Sequence, residues 1–246
     1  EWKKFMILLR YIILILVFNS FLLGGLLKPY NNQNISYTHI LFEWDQNPDA
    51  IQYQIQLSNS LSFDASNLLL DTQTDKLVYI YRNPIDWDNT YFWRIRDIYI
   101  DNSFGPWTIA SSFTINQKMY EPNSGTLLID LIDDNLSSNE LTILGDLSGG
   151  LNLRSFVFDN NGNEIWNQNF MLSHINEYGQ LFGTSYMDFP NNTGIKINYD
   201  GNILWNGPDG AYIDLHEVKS IPNGNYMGFL WESQYGPIPI GDWSFQ

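Results

Sequence analysis

The 246 residues contain no cysteine, which excludes disulfides and thiolate metal sites. It leaves the compartment open, because many exported bacterial proteins also lack cysteine. Basic residues are scarce too: 12 Lys and Arg stand against 27 Asp and Glu, a formal charge of -15. Such a chain repels phosphate backbones, and no basic patch after Arg10 reverses this locally, so nucleic acid is excluded as a partner. What the chain does have is apolar and aromatic surface, 44% hydrophobic and 16% aromatic residues. That is enough to bury a core, it argues against disorder, and the aromatic share favours strands over helices. The length suits two domains.

Lys3, Lys4 and Arg10 precede the apolar run Tyr11 to Leu23, broken only by Asn19 and Ser20. A basic flank before an apolar stretch predicts an export signal over residues 1–27, with membrane attachment through residues 5–27 as the rival reading. Extended to Leu27 the run is still short for a bilayer span of about 20 residues. Neither an A-x-A-like cleavage site nor a lipoprotein cysteine follows, so cleavage and retention both stay open. The expected location is periplasmic, cell-surface or secreted. The chain opens on Glu1 and closes on GDWSFQ without a closing strand, and both ends are expected to lie inside a longer protein.

Residues 28–34 read as a linker, and a first domain is expected over 35–116. Strand-like runs at Tyr37 to Trp44, Ile51 to Leu57, Asn67 to Asp71, Leu77 to Tyr81, Thr90 to Tyr99 and Trp107 to Ile115 are separated by Asn, Asp, Pro, Gly and Ser clusters. That spacing predicts an antiparallel β-sandwich. FEWDQNPDAIQYQIQLSNS and NTYFWRIRDIYIDNSFGPWTIASSFTI resemble a fibronectin type III-like module, with Phe42, Trp44, Tyr53, Ile55, the run from Thr90 to Arg96, Trp107 and Phe113 on core strands. Such modules are spacers or binding supports. Trp87 and Trp107 admit a carbohydrate platform, although their spacing favours core positions. His39 has no ligand-type neighbour at metal spacing and reads as structural.

After a second linker at 116–125 the grammar changes to turn, short strand and tryptophan. Ser155 to Phe158 with Asn161-Gly162-Asn163-Glu164-Ile165-Trp166 returns as Gly194 to Ile197 with Asp200-Gly201-Asn202-Ile203-Leu204-Trp205, an interval of 39 residues. Each tryptophan is followed by a histidine, a turn glycine and an apolar strand, through His174 and Gly179 and then His216 and Gly224. Two four-stranded units of about 40 residues result, the signature of β-propeller blades. The fold class is therefore all-β: a fibronectin type III-like sandwich over 35–116, then an incomplete β-propeller of about two to three blades over 126–246. Asp214 to Leu230 reads as a hairpin whose Asn223-Gly224 supplies the positive-φ positions of a tight turn. Asp159, Asn161, Asn163 and Glu164 cluster oxygens as a calcium site does, but the spacing fails the twelve-residue loop, and no metal or cofactor is expected. Asp130, Asp133 and Asp134 read as a solvated loop.

The DNNGNEIW and YDGNILW pairs, HINEYGQLFG and DLHEVKSIPNGNYMGFL together resemble the arylsulfotransferase family, β-propeller enzymes that use no nucleotide sulfate donor. The resemblance covers Thr126 onward, and its most specific piece is His216-Glu217 followed by Pro222 to Asn225. Leu215 stands where the family often has a second histidine. The resemblance implies transfer of a sulfuryl group from an aryl sulfate to a phenol through a histidine, with His216 as an acid-base or channel-lining residue and Asp214, Asn223 and Asn225 as substrate-binding residues. An imidazole suits such chemistry, because its nitrogen can attack sulfur or take the acceptor's proton. Lys219, Asn223 and Asn225 are the nearby donors for the sulfuryl oxygens. Regular strand alternation places Asp214 and His216 on one face, with Glu217 and Lys219 on the other. Two other readings stand beside it: a noncatalytic exported propeller for adhesion or polymer binding, and a quinone-dependent propeller dehydrogenase, for which no paired metal ligands or cysteine motif speak.

Overall fold

The computed structural model describes residues 25–120, 141–146, 153–186, 192–208, 211, 213–230, 235–236, 238–240 and 243–245. The apolar run Tyr11 to Leu23 and the cluster of Asp130, Asp133 and Asp134 lie outside them. The described residues hold strands and no helix. The chain divides into two compact units between Lys118 and Met119.

The first unit contains eight strands: β1 (Leu26–Lys28), β2 (Gln33–Ile35), β3 (Ile40–Trp44), β4 (Gln52–Ser58), β5 (Leu68–Thr74), β6 (Val78–Tyr81), β7 (Asn89–Ile98) and β8 (Ser111–Ile115). They form two sheets, ordered β1-β3-β6 and β2-β8-β7-β4-β5. All pairings are antiparallel except β2 with β8. The stretch read as a linker at 28–34 is a turn over 29–32 flanked by two short edge strands, with Lys28 ending β1, which pairs with β3, and Gln33 and Asn34 opening β2, which pairs with β8.

Alternation along β7 turns Tyr91, Trp93 and Ile95 inward. Their faces meet the other sheet, where the Phe42 ring lies 4.9 Å from Trp93 and 6.1 Å from Phe113. Trp44 meets Tyr53 edge-on at 5.6 Å. Burying each large aromatic removes roughly 150–250 Å² from water, so these few rings dominate the unit's hydrophobic stabilisation. The Trp93 indole N–H donates to the buried Pro29 carbonyl at 3.1 Å. Trp44 Nε1, by contrast, is buried without a hydrogen-bond partner.

Tyr91 closes the unit differently. Its hydroxyl accepts the Asp86 N–H at 3.0 Å and donates to the Asp86 carbonyl at 3.1 Å, tying the start of β7 to the connection that precedes it.

Trp107 is not a core residue. It sits half-buried on the outer face, between the Arg94 guanidinium at 4.4 Å and that of Arg96 at 4.5 Å. Phe63 and Phe104 extend the stack, each 3.9 Å from its arginine. Beneath it Gln56 and Gln54 accept from Arg94 and Arg96 while donating to Asp71. A large aromatic at strand spacing reads as core from sequence, but here two cations on alternate positions of β7 offer it a better partner outside. Trp87 is likewise only half-buried.

The second unit contains β9 (Thr142–Asp146), β10 (Arg154–Phe158), β11 (Glu164–Gln168), β12 (Met171–Ile175), β13 (Leu181–Tyr186), β14 (Asn192–Ile197), β15 (Ile203–Asn206), β16 (Ile213–Ser220), β17 (Tyr226–Leu230), β18 (Ile238–Ile240) and β19 (Trp243–Phe245). The sheets are β11-β10-β9, β12-β13-β14-β15, β16-β17 and β18-β19, all antiparallel. The sequence repeat grouped β10 to β13 as one unit and β14 to β17 as the next. The sheets instead break after β11 and after β15. A repeat supplies a period but no phase, since any four consecutive strands of it look alike until hydrogen bonds are assigned.

The repeated tryptophan joins consecutive sheets. Trp166, on the last strand of one, donates its indole N–H to the Tyr199 carbonyl at 2.9 Å and stacks on the Tyr199 ring at 6.2 Å. Buried Glu164 accepts from Met119 N–H, Tyr120 N–H and Asn167, pinning the start of the unit. Asp159 accepts from Asn161 and Asn163 inside its own turn. Of the oxygens that suggested calcium, the carboxylates of Asp159 and Glu164 are thus engaged by the chain itself.

Trp93→Phe and Trp44→Phe remove similar volumes, but only the first takes a donor from a buried carbonyl, leaving Pro29 with the longer bond from the Ser111 hydroxyl at 3.4 Å. Urea denaturation should show Trp93→Phe costing about 1–3 kcal/mol more than Trp44→Phe; equal costs would mean the Pro29 bond contributes nothing. Burial also holds the hydroxyls of Tyr53, Tyr81 and Tyr91 above the ordinary 10.0. The folded unit therefore keeps these protons to higher pH than the unfolded chain does. Its stability is full below about pH 10 and falls as pH rises through the raised values. A urea midpoint unchanged from about pH 9 to about pH 12 would contradict this.

Candidate functional site

The hairpin β16–β17 carries the residues singled out from sequence. Its turn follows a rule shared by four hairpins. In each, the N–H of the turn glycine bonds to the carbonyl three residues back, and that residue's N–H bonds to the carbonyl just after the glycine. Gly162, Gly179, Gly201 and Gly224 have φ between 70° and 82°. This is a three-residue loop in which only the glycine is left-handed, rather than a two-residue turn with Asn223 also at positive φ. In the first three turns a leading Asp159, Asn176 or Asn198 side chain accepts backbone N–H groups. Ile221 leads the fourth and has no such oxygen, so Asn223 Oδ1 accepts the Asn225 N–H at 3.0 Å instead.

The strand before the turn is not regular. Ile213 pairs with Leu230 and Val218 with Gly228, so four residues, Asp214 to Glu217, lie opposite Phe229 alone. A bulge of this size ends the alternation that would have set Asp214 and His216 on one face. A smaller bulge, of the single residue Ser173, occurs between Leu172 and His174 on β12. In both hairpins a glycine four residues after the turn glycine faces it. A Cβ on Gly183 would fall 1.9 Å from the Met171 carbonyl oxygen, and one on Gly228 would fall 3.2 Å from that of Glu217.

The structure disperses the candidate residues. His216 lies within the bulge, and its side chain is outside the described residues. Asp214 is half-buried on the same bulge. Asn223 and Asn225 are exposed at the turn, at the other end of β16 from Asp214. Lys219 Nζ pairs with Glu217 Oε1, the two neighbours on one face. Aligned through the turn glycines, His174 matches Lys219 rather than His216, and Met171 takes the place of His216. The His174 ring sits 5.7 Å from Phe182.

Beside the hairpin opens a pocket of about 470 Å³. Trp205 and Tyr226, stacked at 3.9 Å and 13°, form one wall, with Ile213, Val218 and Leu230 completing it. Of Asp214, Asn223 and Asn225, the three predicted site residues whose side chains are described, Asn225 alone lines this pocket. Lys196 Nζ lies 5.5 Å from the Tyr226 ring centroid and 5.9 Å from that of Phe182. Trp205 and Tyr226 were visible in sequence only as a repeat marker and a strand residue; nothing local announces that rings 21 positions apart will stack. The arrangement offers an aromatic and aliphatic concavity with one amide at its rim, suited to a flat apolar group. No family model matches the chain, and no curated protein matches it.

Gly183→Ala should destabilise the second unit by about 3 kcal/mol or more, since a backbone oxygen must move, whereas Gly228→Ala should cost about 1 kcal/mol. Thermal melts of the two variants check the order, and the reverse order would refute the shared role of the bulges.

Proposed function

We propose that the second unit is a run of consecutive blades of an arylsulfotransferase-like β-propeller, and that His216 serves sulfuryl transfer from an aryl sulfate to a phenol. One observation carries the reading. Ser173 and Val218, each six residues before a turn glycine, are equivalent positions of successive sheets. The Ser173 hydroxyl accepts the Val218 N–H at 3.1 Å and lies 3.2 Å from both the Val218 and the Phe182 carbonyls, the acceptors open to its proton. Equivalent residues touch through the first strands of their sheets, as expected for sheets turned about an axis beside those strands. His216 stands two residues before Val218, on the strand nearest that axis. The bulge there fits a site that re-aims side chains.

In this role the His216 imidazole takes the proton of the acceptor phenol as its oxygen bonds to sulfur. The bond from sulfur to its previous carrier breaks, and its electron pair stays with that carrier. The pocket walled by Trp205 and Tyr226 supports an aromatic substrate. The first unit is proposed as a fibronectin type III-like support. Its sheet order and the Tyr91 hydroxyl bonded five residues back support that reading. The basic flank and apolar run before residue 25 support export.

The test uses the protein from its complete reading frame, with p-nitrophenyl sulfate as donor and phenol as acceptor. His216→Ala should lose about 10²-fold or more in turnover while staying folded. Unchanged turnover retires His216. A folded parent without turnover moves the chain to the binding-module reading.

A further inference from the structure

The first unit holds a second concavity, a polar cleft of about 380 Å³. Asn59, Ser60 and Asn67 of the β4–β5 loop form one wall, and Asp86 and Asn89 form the other. Both walls are built by the chain's own hydrogen bonds. Asn59 N–H donates to the Asn67 carbonyl at 3.2 Å, and Ser58 Oγ accepts the Ser60 N–H at 3.0 Å while donating to the Ser60 carbonyl at 2.8 Å. Across the cleft the Tyr91 hydroxyl holds both backbone groups of Asp86.

With the backbone engaged, the side chains of Asn59, Asn67 and Asp86 make no hydrogen bond among the described residues. They are a set of donors and acceptors open to solvent on a backbone that is held in place. No lysine or arginine lines the cleft, so an anion finds no countercharge. A single carboxylate falls short of the six to eight oxygen ligands a calcium ion takes. Carboxamides both donate and accept, and a carboxylate accepts from two hydroxyls at once, which matches the adjacent hydroxyls of a sugar. Leu69 and Ile85 offer apolar surface to its C–H face. We propose that this cleft binds a neutral polyhydroxylated ligand, a saccharide. The site is independent of the transfer chemistry assigned to the second unit.

The test is a titration of the ¹⁵N-labelled chain with cellobiose, maltose and diacetylchitobiose, each to about 20 mM, a range that captures the millimolar affinities of small exposed sites. Shifts should cluster at Asn59, Asn67, Asp86 and Asn89 for at least one sugar and should persist in high salt. Asn67→Ala should weaken binding about tenfold or more, with Asn59→Ala as a second variant at an exposed position; a dispersed spectrum shows that each variant is folded. The proposal is overturned if none of the three sugars moves these amides, if the shifts centre elsewhere, or if both folded variants bind as the parent does. Calcium alone producing the same shifts would also overturn it, by making the cleft a cation site.

Discussion

A sheet of three or four strands in the second unit cannot bury both of its own faces, and the tryptophan on its last strand shows how the chain meets that constraint. Trp166 lies almost wholly out of solvent because the next sheet supplies the Tyr199 ring and carbonyl that cover it. Trp205 repeats the arrangement with Tyr226. The contact between Ser173 and Val218 follows from the same requirement, since it joins one sheet to the next. The apolar pocket beside β16–β17 is the place where this mutual covering is open among the described residues.

The first unit meets its own constraint internally. Two sheets suffice to enclose Phe42, Trp93 and Phe113, and each strand therefore needs apolar residues on one face only. This leaves the outer face of β7 for arginines. Burial, then the neighbouring Arg96 charge, lowers the Arg94 pKa from its ordinary value, and Asp71 opposes the shift. The aromatic faces of Phe63, Trp107 and Phe104 accept both cations in a stack that also fastens the flanking loops.

Local patterns hold at the turn of the β16–β17 hairpin and lose force along its first strand. The Pro-Asn-Gly-Asn turn was legible because a left-handed residue admits few side chains, and glycine is the cheapest of them. The pairing of Asp214 with His216 was argued from a period of two, and that period holds only while every residue has one partner opposite. The bulge lies in the pairing of Ile213 with Leu230 and Val218 with Gly228, partners that no window around His216 contains.

Strands, turns and the all-β class were determined by the sequence alone, because alternation, β-branched and aromatic content and turn glycines act over a few residues. The 39-residue period was likewise there to be counted. Tertiary structure alone decided which strands share a sheet, that Trp107 lies outside while Trp93 lies inside, and that Trp205 and Tyr226 wall a pocket. Each depends on which distant surface reaches a residue first. Such competition is settled by packing and hydrogen-bond satisfaction across the whole unit, and the residue's own neighbours in the chain carry no record of it.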